Sequence, residues 1–379
     1  MEILISLLAL LALSILLGKL CERFGVTDIV GQIIAGVILG PAVLNLISPS
    51  SVLSSIAEVA IFFVLLFIGI QITTETLTGH FRSAIYFTLS SFVVPIAVMS
   101  AIAIYFFHIS YAPSIITAIG IGVPSISIIS VLVYRYSLIH TEDGIRLLSG
   151  VIFTDILAFV ILAAMVRLSH IVLTLIGLAV FIAIFLYFDR ELKLRGEKAR
   201  EFFKKLLDRK AEDLIFAIVI LASLLISAIL QFIGITYVLG ALFAGMLIHK
   251  TTFGSRTTRI LQNTFRRLND SFFIPVFFSI AGIEVSVPTD KYLQILLIMV
   301  AISIVVGGAL NAYVAKRRMS KLKARDAVGI LGSRGAVGII IASVAFQAGI
   351  ISSDLYTIVV AGTIAMSIIM PLLLSRQKY

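Results

Sequence analysis

Long apolar runs alternate with short polar breaks along the whole chain. A bilayer-crossing helix needs about 20 mostly apolar residues. That ruler picks out thirteen stretches, at 3–18, 29–47, 54–72, 84–107, 112–134, 146–166, 169–188, 213–233, 235–250, 268–286, 292–315, 326–347 and 354–374. The pattern predicts an all-α polytopic membrane protein. The first stretch opens on Met1-Glu2, has no basic n-region and no small-residue cleavage site after it, so it is expected to be a retained helix.

Thirteen crossings put the termini on opposite sides. With the N-terminus outside, the inside loops hold Lys19, Arg23, Arg82, Arg135, Arg146, the basic residues of 190–210, 250–267 and 316–325, and Arg376 and Lys378. Outside there are only Arg167 and Lys291, and Arg334 lies within a span. Basic residues favour cytoplasmic loops, so the expected topology is a multi-pass cell-membrane protein with a cytoplasmic C-terminus.

Composition agrees. Of 379 residues, 60% are hydrophobic and 13% charged, about half the charged share of a soluble domain. A single soluble core stops growing near this size and could not bury so much apolar surface. The net charge of +10 is no nucleic-acid footprint, because the basic residues are dispersed between spans, facing headgroups and cytoplasm. One cysteine, Cys21, excludes a disulfide framework and a cysteine zinc site. The five histidines have no metal-ligand spacing. There is no phosphate-binding loop, nucleophile elbow, HExxH or dinucleotide glycine fingerprint, which argues against an enzyme and against any resident cofactor.

The chain also matches itself. Gly31-Gln-Ile-Ile-Ala-Gly36 in the second span parallels Gly240-Ala-Leu-Phe-Ala-Gly245 in the ninth. Phe67-Ile-Gly69-Ile-Gln-Ile72 in the third parallels Ile280-Ala-Gly282-Ile-Glu-Val285 in the tenth. An odd number of crossings separates the copies, so they point in opposite directions, as in the inverted repeats of secondary transporters. The charged segment from Asp189 to Asp213 divides the halves and reads as a linker helix lying on headgroups. The fourth span of each half carries helix breakers: Gly120-Ile-Gly122-Val-Pro124-Ser125-Ile-Ser127 in span 5, and Gly329, Gly332, Gly335 and Gly338 in span 12. Corresponding interrupted helices point to a binding site, where freed carbonyls and helix ends line a cavity.

Two charged residues lie mid-span. Asp155 follows Thr154 in the middle of span 6. A carboxylate there costs about 3 kcal/mol on insertion scales. It is either a structural partner of a buried base or the carrier of a proton or a cation, with the Thr154 hydroxyl as a further oxygen ligand for a hard cation. Arg334 cannot shed its charge, so it needs a partner or a helix end. Glu58 and Asp155 are the acidic candidates, and Arg334 either anchors two broken helices or takes part in the ion site.

These motifs, in this order, resemble the monovalent cation:proton antiporters, in the branch with the Kef-type and Nap-type proteins. The resemblance covers nearly the whole chain. Gly31 to Pro41 is similar to that branch's second-helix signature, and Ala57-Glu58-Val with Leu66-Phe67-Ile-Gly69 to its third helix. Phe272-Phe-Ile-Pro275-Val-Phe-Phe278 and Gly332-Ser-Arg334-Gly335 are similar to its tenth and twelfth. The resemblance makes Asp155 the ion-binding carboxylate. Thr154 stands where relatives have Asp or Asn, Gly307-Gly308 lacks a following lysine, and Ala336 replaces a glutamate. It implies moving core helices at 84–166 and 292–374, dimerising scaffold helices at 1–72 and 213–286, and a linker at 169–212. It also implies a homodimer. Many Kef-type relatives continue into a cytoplasmic nucleotide-binding domain; none is expected within a sequence ending five residues past its last span.

The expected function is exchange of a monovalent cation for a proton. Sodium is favoured over potassium, at a site of Asp155, Thr154, Ser125 and Ser127. Asp155 is the one acidic residue near mid-membrane, so exchange is expected to be electroneutral, one for one. A potassium/proton exchanger, a cation-coupled solute symporter on a related fold, and a non-transporting sensor are the alternatives.

Overall fold

The structure is a computed structural model. It describes residues 2–24, 26–71, 81–124, 129, 133, 138, 141–166, 171–194, 201, 212–232, 237–248, 250–286, 290–319 and 322–373. Helices occupy every one of the thirteen apolar stretches. In chain order they are α1 Glu2–Arg23, α2 Asp28–Leu39, α3 Ser51–Gln71, α4 Phe81–Thr88, α5 Val94–Tyr105, α6 Tyr111–Gly122, α7 Glu142–Val166, α8 Ile171–Leu194 and α9 Glu212–Phe232. Then follow α10 Tyr237–Met246, α11 Lys250–Leu268, α12 Ile274–Ile283, α13 Asp290–Ile302, α14 Gly308–Arg318, α15 Ala324–Gly332, α16 Ala336–Gln347 and α17 Ser353–Leu372. Internal contacts gather the chain into two compact units. One joins Met1–Ala57, Glu75–Leu162 and Pro275–Tyr379; the other joins Glu58–Thr74 and Ala163–Ile274.

Two details differ from the sequence expectation. The second span is expected to run to 47, but α2 ends at Leu39. Gly40 is extended (φ −78, ψ −177), because Pro41 disfavours the helical region for the residue before it. The basic stretch 250–267, expected as a loop, is the helix α11. Its buried Thr257, Leu261 and Phe265 recur every four residues, an amphipathic spacing that average polarity hides. Gly254 kinks it in the left-handed region (φ 79), which favours glycine. As its helix breakers predict, span 12 is two helices, α15 and α16, separated by Ser333-Arg334-Gly335.

The repeat is visible in matched glycine contacts. In the first unit, α2 crosses α12 so closely that a Cβ on Gly36 would strike Ser279 O, and one on Gly282 would strike Ile33 O. In the second unit, a Cβ on Gly69 of α3 would strike Leu242 O of α10, and one on Gly245 would strike Leu66 O. Ile33 and Gly36 correspond in the repeat to Leu242 and Gly245, and Leu66 and Gly69 to Ser279 and Gly282. Each crossing is therefore the repeat image of the other. Small residues let membrane helices meet backbone to backbone, where packing replaces the absent hydrophobic drive.

Of three π-helical turns among the described residues, a pair corresponds: its first member is Leu89–Val93 between α4 and α5 and its second Ser303–Gly307 between α13 and α14, while Asn269–Phe273 lies between α11 and α12. Such turns concentrate at functional sites. Outer faces stay apolar, with Leu4 and Leu8 of α1 and Leu221 and Leu225 of α9 exposed, as suits helices facing acyl chains.

Gly36→Val and Gly245→Val should each lower the unfolding temperature in detergent, at a cost of roughly 1–3 kcal/mol of overpacking. An unchanged temperature for both would mean that these helices do not meet at the glycines.

Candidate ion-binding site

The two interrupted spans meet in the first unit. α6 ends at Gly122, α15 at Gly332, and the extended residues beyond them pair in an isolated antiparallel bridge between Pro124 and Arg334. The two residues are repeat equivalents, so the bridge joins corresponding points of the two halves. Past the break, the first turn of α16 passes over the end of α6: a Cβ on Gly338 would strike Gly120 O. That is why a glycine stands at 338.

A helix that ends inside a membrane leaves carbonyls with no partner in the helix. Here side chains supply the donors. Ser333 Oγ donates to Gly329 O at 2.8 Å. Arg334 Nη1 donates to Leu331 O at 2.9 Å, and Nη2 to Ser303 Oγ at 3.1 Å. Ser303 opens the second π-turn. From α17, Thr363 donates to Gly120 O at 3.4 Å and Ser367 to Arg334 O at 2.5 Å. Thr363 and Ser367 are one helical turn apart, so one face of α17 serves both breaks. Arg334 is fully buried and makes no ion pair among the described residues. Its charge lies at the C-terminal end of α15, where the helix dipole is negative.

Asp155 lies mid-way along α7, fully buried, and neither carboxylate oxygen has a hydrogen-bond partner among the described residues. The other fully buried carboxylates are engaged. Asp143 accepts from Leu322 N at 3.2 Å and lies 3.9 Å from Arg146, and Asp326 has a partner too. One apolar cluster holds Leu147 and Val151 of α7 with Ala327, Ile330 and Leu331 of α15. Asp155 is one helical turn beyond Val151, and Arg334 just beyond Leu331. The cluster thus ties the carboxylate's helix to the broken one.

Thr154 donates to Gly150 O at 2.8 Å and lies 3.4 Å from Thr88 Oγ1. Thr88, the last residue before the first π-turn, donates to the same carbonyl at 3.2 Å. The Thr154 proton is therefore committed to the backbone, and only its lone pairs are free for a cation. Glu58 is exposed on α3. Ser125 and Ser127 lie outside the described residues. Thr88, Ser303, Thr363 and Ser367 were missed by sequence reasoning. Their one signal was a hydroxyl within an otherwise apolar span, and for the last pair a four-residue spacing.

Repeated halves with two helices broken against each other, tied to the helix of an unpartnered buried carboxylate, match the plan of a secondary transporter. The family model for transmembrane sodium/hydrogen exchangers matches residues 8–376, and the chain belongs to that family. It is a multi-pass membrane protein that exchanges cations for protons, and not an enzyme. A probable Na(+)/H(+) antiporter 3 of Methanocaldococcus jannaschii is 21% identical, over 97% of this chain and 94% of its own length. A Na(+)/H(+) antiporter of Enterococcus hirae is 23% identical, over 98% and 97%. The solved structure of the sodium proton antiporter MjNhaP1 from Methanocaldococcus jannaschii at pH 8 superposes with a TM-score of 0.68 at 17% identity. It covers 98% of this chain and 95% of that one.

Arg334→Ala should lower exchange and cut thermal stability in detergent by about 1.5–3 kcal/mol for each charge-assisted hydrogen bond lost, at Leu331 O and Ser303 Oγ. Normal stability without transport would place Arg334 in the ion site itself. Thr154→Ala should raise the apparent KM for the cation several-fold, leaving the maximal rate nearly intact, since a hydroxyl brings a dipole and no charge. Cation-dependent proton flux in proteoliposomes measures both.

Proposed function

We propose that this antiporter exchanges one Na+ for one H+, with Asp155 holding each in turn. One observation carries the reading: among the described residues Asp155 is the fully buried carboxylate that nothing satisfies. A charge so placed is costly unless it is regularly neutralised, and a bound proton or a bound Na+ each does that. The related Na(+)/H(+) antiporters support sodium as the cation. Potassium could be held by the same oxygens, and an ion series separates the two.

The same carboxylate accounts for coupling. Loaded with H+ or with Na+, it carries the same net charge, so both crossings are neutral. Alternating access then follows from the core helices of 84–166 and 292–374 moving against the scaffold helices of 1–72 and 213–286. The scaffold pairs two copies as a homodimer, and the basic loops face the cytoplasm. The hydrogen bonds from α17 and Ser303 support this reading, because they keep the broken helices together as one body while it moves.

Asp155→Asn keeps the shape of the side chain but can neither bind a proton nor offset a cation. It should abolish exchange while the protein still folds and inserts. Wild-type flux from the Asn variant would overturn the proposal. In wild type, apparent cation affinity should fall as pH drops, because protons compete for one group. A current measurement on a supported membrane after a Na+ jump should show no steady transport current. One net charge per cycle would instead feel about 2.3 kcal/mol per 100 mV and would need a second titrating group.

A further inference from the structure

A second acidic side chain has no part in this scheme. Glu284 directly follows the end of α12, half-buried, in a small cavity of the first unit. The cavity is also lined by Ser54 from the first turn of α3, Ser343 and Gln347 from the last turns of α16, and Tyr356 from the first turn of α17. Phe277, Ile280, Ala281 and Glu284 line it at the i, i+3, i+4, i+7 spacing of one helical face. Its volume is about 20 Å³, room for about one water-sized particle.

Among the described residues, Glu284 is the charged side chain in the walls, and no lysine, arginine or histidine lines the cavity. Two helices, α12 and α16, end there and two, α3 and α17, begin there, so the partial charges of the helix ends oppose one another and the Glu284 carboxylate sets the sign. Tyr356 gives its proton to Ala281 O at 2.8 Å, and Ser343 Oγ lies 3.4 Å from the phenol oxygen. The Tyr356 oxygen therefore turns lone pairs, not a proton, toward its other neighbours. A carboxylate, hydroxyl oxygens and an amide form a set of hard oxygen donors suited to a small cation.

We propose that the Glu284 cavity is a second binding site for a monovalent cation, an entry site that takes Na+ before it reaches Asp155 from the side facing away from the basic loops. The start of α3, the ends of α12 and α16 and the start of α17 all belong to that side in the topology above. The entry role rests on the antiport reading; the presence of the site does not. A carboxylate facing a one-ion cavity lowers the energy of an arriving cation without holding it through the cycle. Its removal therefore weakens capture and leaves turnover alone.

The test compares right-side-out with everted membrane vesicles. Glu284→Gln should raise the KM for Na+ offered on the outer side about tenfold, change the maximal rate by less than about twofold, and leave the KM for Na+ offered on the cytoplasmic side as in wild type. Equal KM changes on both sides, no change in either, or a fall in maximal rate at constant KM would each overturn the entry site. Gln347→Leu, on the opposite wall, should give the same one-sided effect, and it carries the test should Glu284→Gln fail to insert. Purified Asp155→Asn protein isolates the second site. Replacing choline chloride by NaCl at constant ionic strength should still raise its unfolding temperature, and the rise should vanish in the Asp155→Asn, Glu284→Gln double variant. No rise in the single variant, or an equal rise in the double, would overturn the site. Transport surviving in Asp155→Asn would refute the Asp155 reading and leave the binding result standing.

Discussion

Everything near the centre of this protein follows from the difficulty of ending a helix in hydrocarbon. The last turn of any helix leaves carbonyls unpaired, and in a bilayer no water is there to take them. Helices α6 and α15 both end inside apolar spans. Their ends persist because hydroxyls from α17, the Ser333 hydroxyl and the Arg334 guanidinium bond to the carbonyls at the breaks. Arg334 is thereby explained twice over. It is a permanent cation at the negative end of a helix, and it is the strut between α15 and the π-turn at Ser303.

The satisfied break makes the contrast with Asp155 meaningful. Around it the buried polar groups are spent on one another: Thr88 and Thr154 on Gly150, Ser90 on Asn311, Asp143 on Leu322. Asp155 alone among the fully buried, described carboxylates has oxygens with no such use. A protein that satisfies its other buried carboxylates and leaves this one open has, in physical terms, a place for something that comes and goes.

The inverted repeat explains why the parts arrive in pairs. One close crossing joins Gly36 to Gly282 and its image joins Gly69 to Gly245; two of the three described π-turns and the two broken helices are likewise images. The copies are not equivalent in charge. Arg334 stands on one broken helix and Pro124 on the other, and Glu284 replaces Gln71 at the matching position.

Apolar run length alone made the fold class legible, since only a helix satisfies its own backbone in lipid. The glycine motifs revealed the repeat, and the insertion cost of a charge singled out Asp155 and Arg334 before any contact was known. Helix ends were harder to read. The stop at Gly40 and the helix at 250–268 depend on a proline's local geometry and on a face that averaging conceals. A helix end was one of the two partners expected for Arg334, but the atoms it bonds to could not be read. Its hydrogen-bonding partners include an oxygen three residues away and a hydroxyl 31 residues away, and nothing in a linear pattern ranks them against a distant carboxylate. The same holds for Thr363, Ser367 and Glu284. Each is an ordinary residue in its own span and acquires meaning only from the helix ends that packing brings against it.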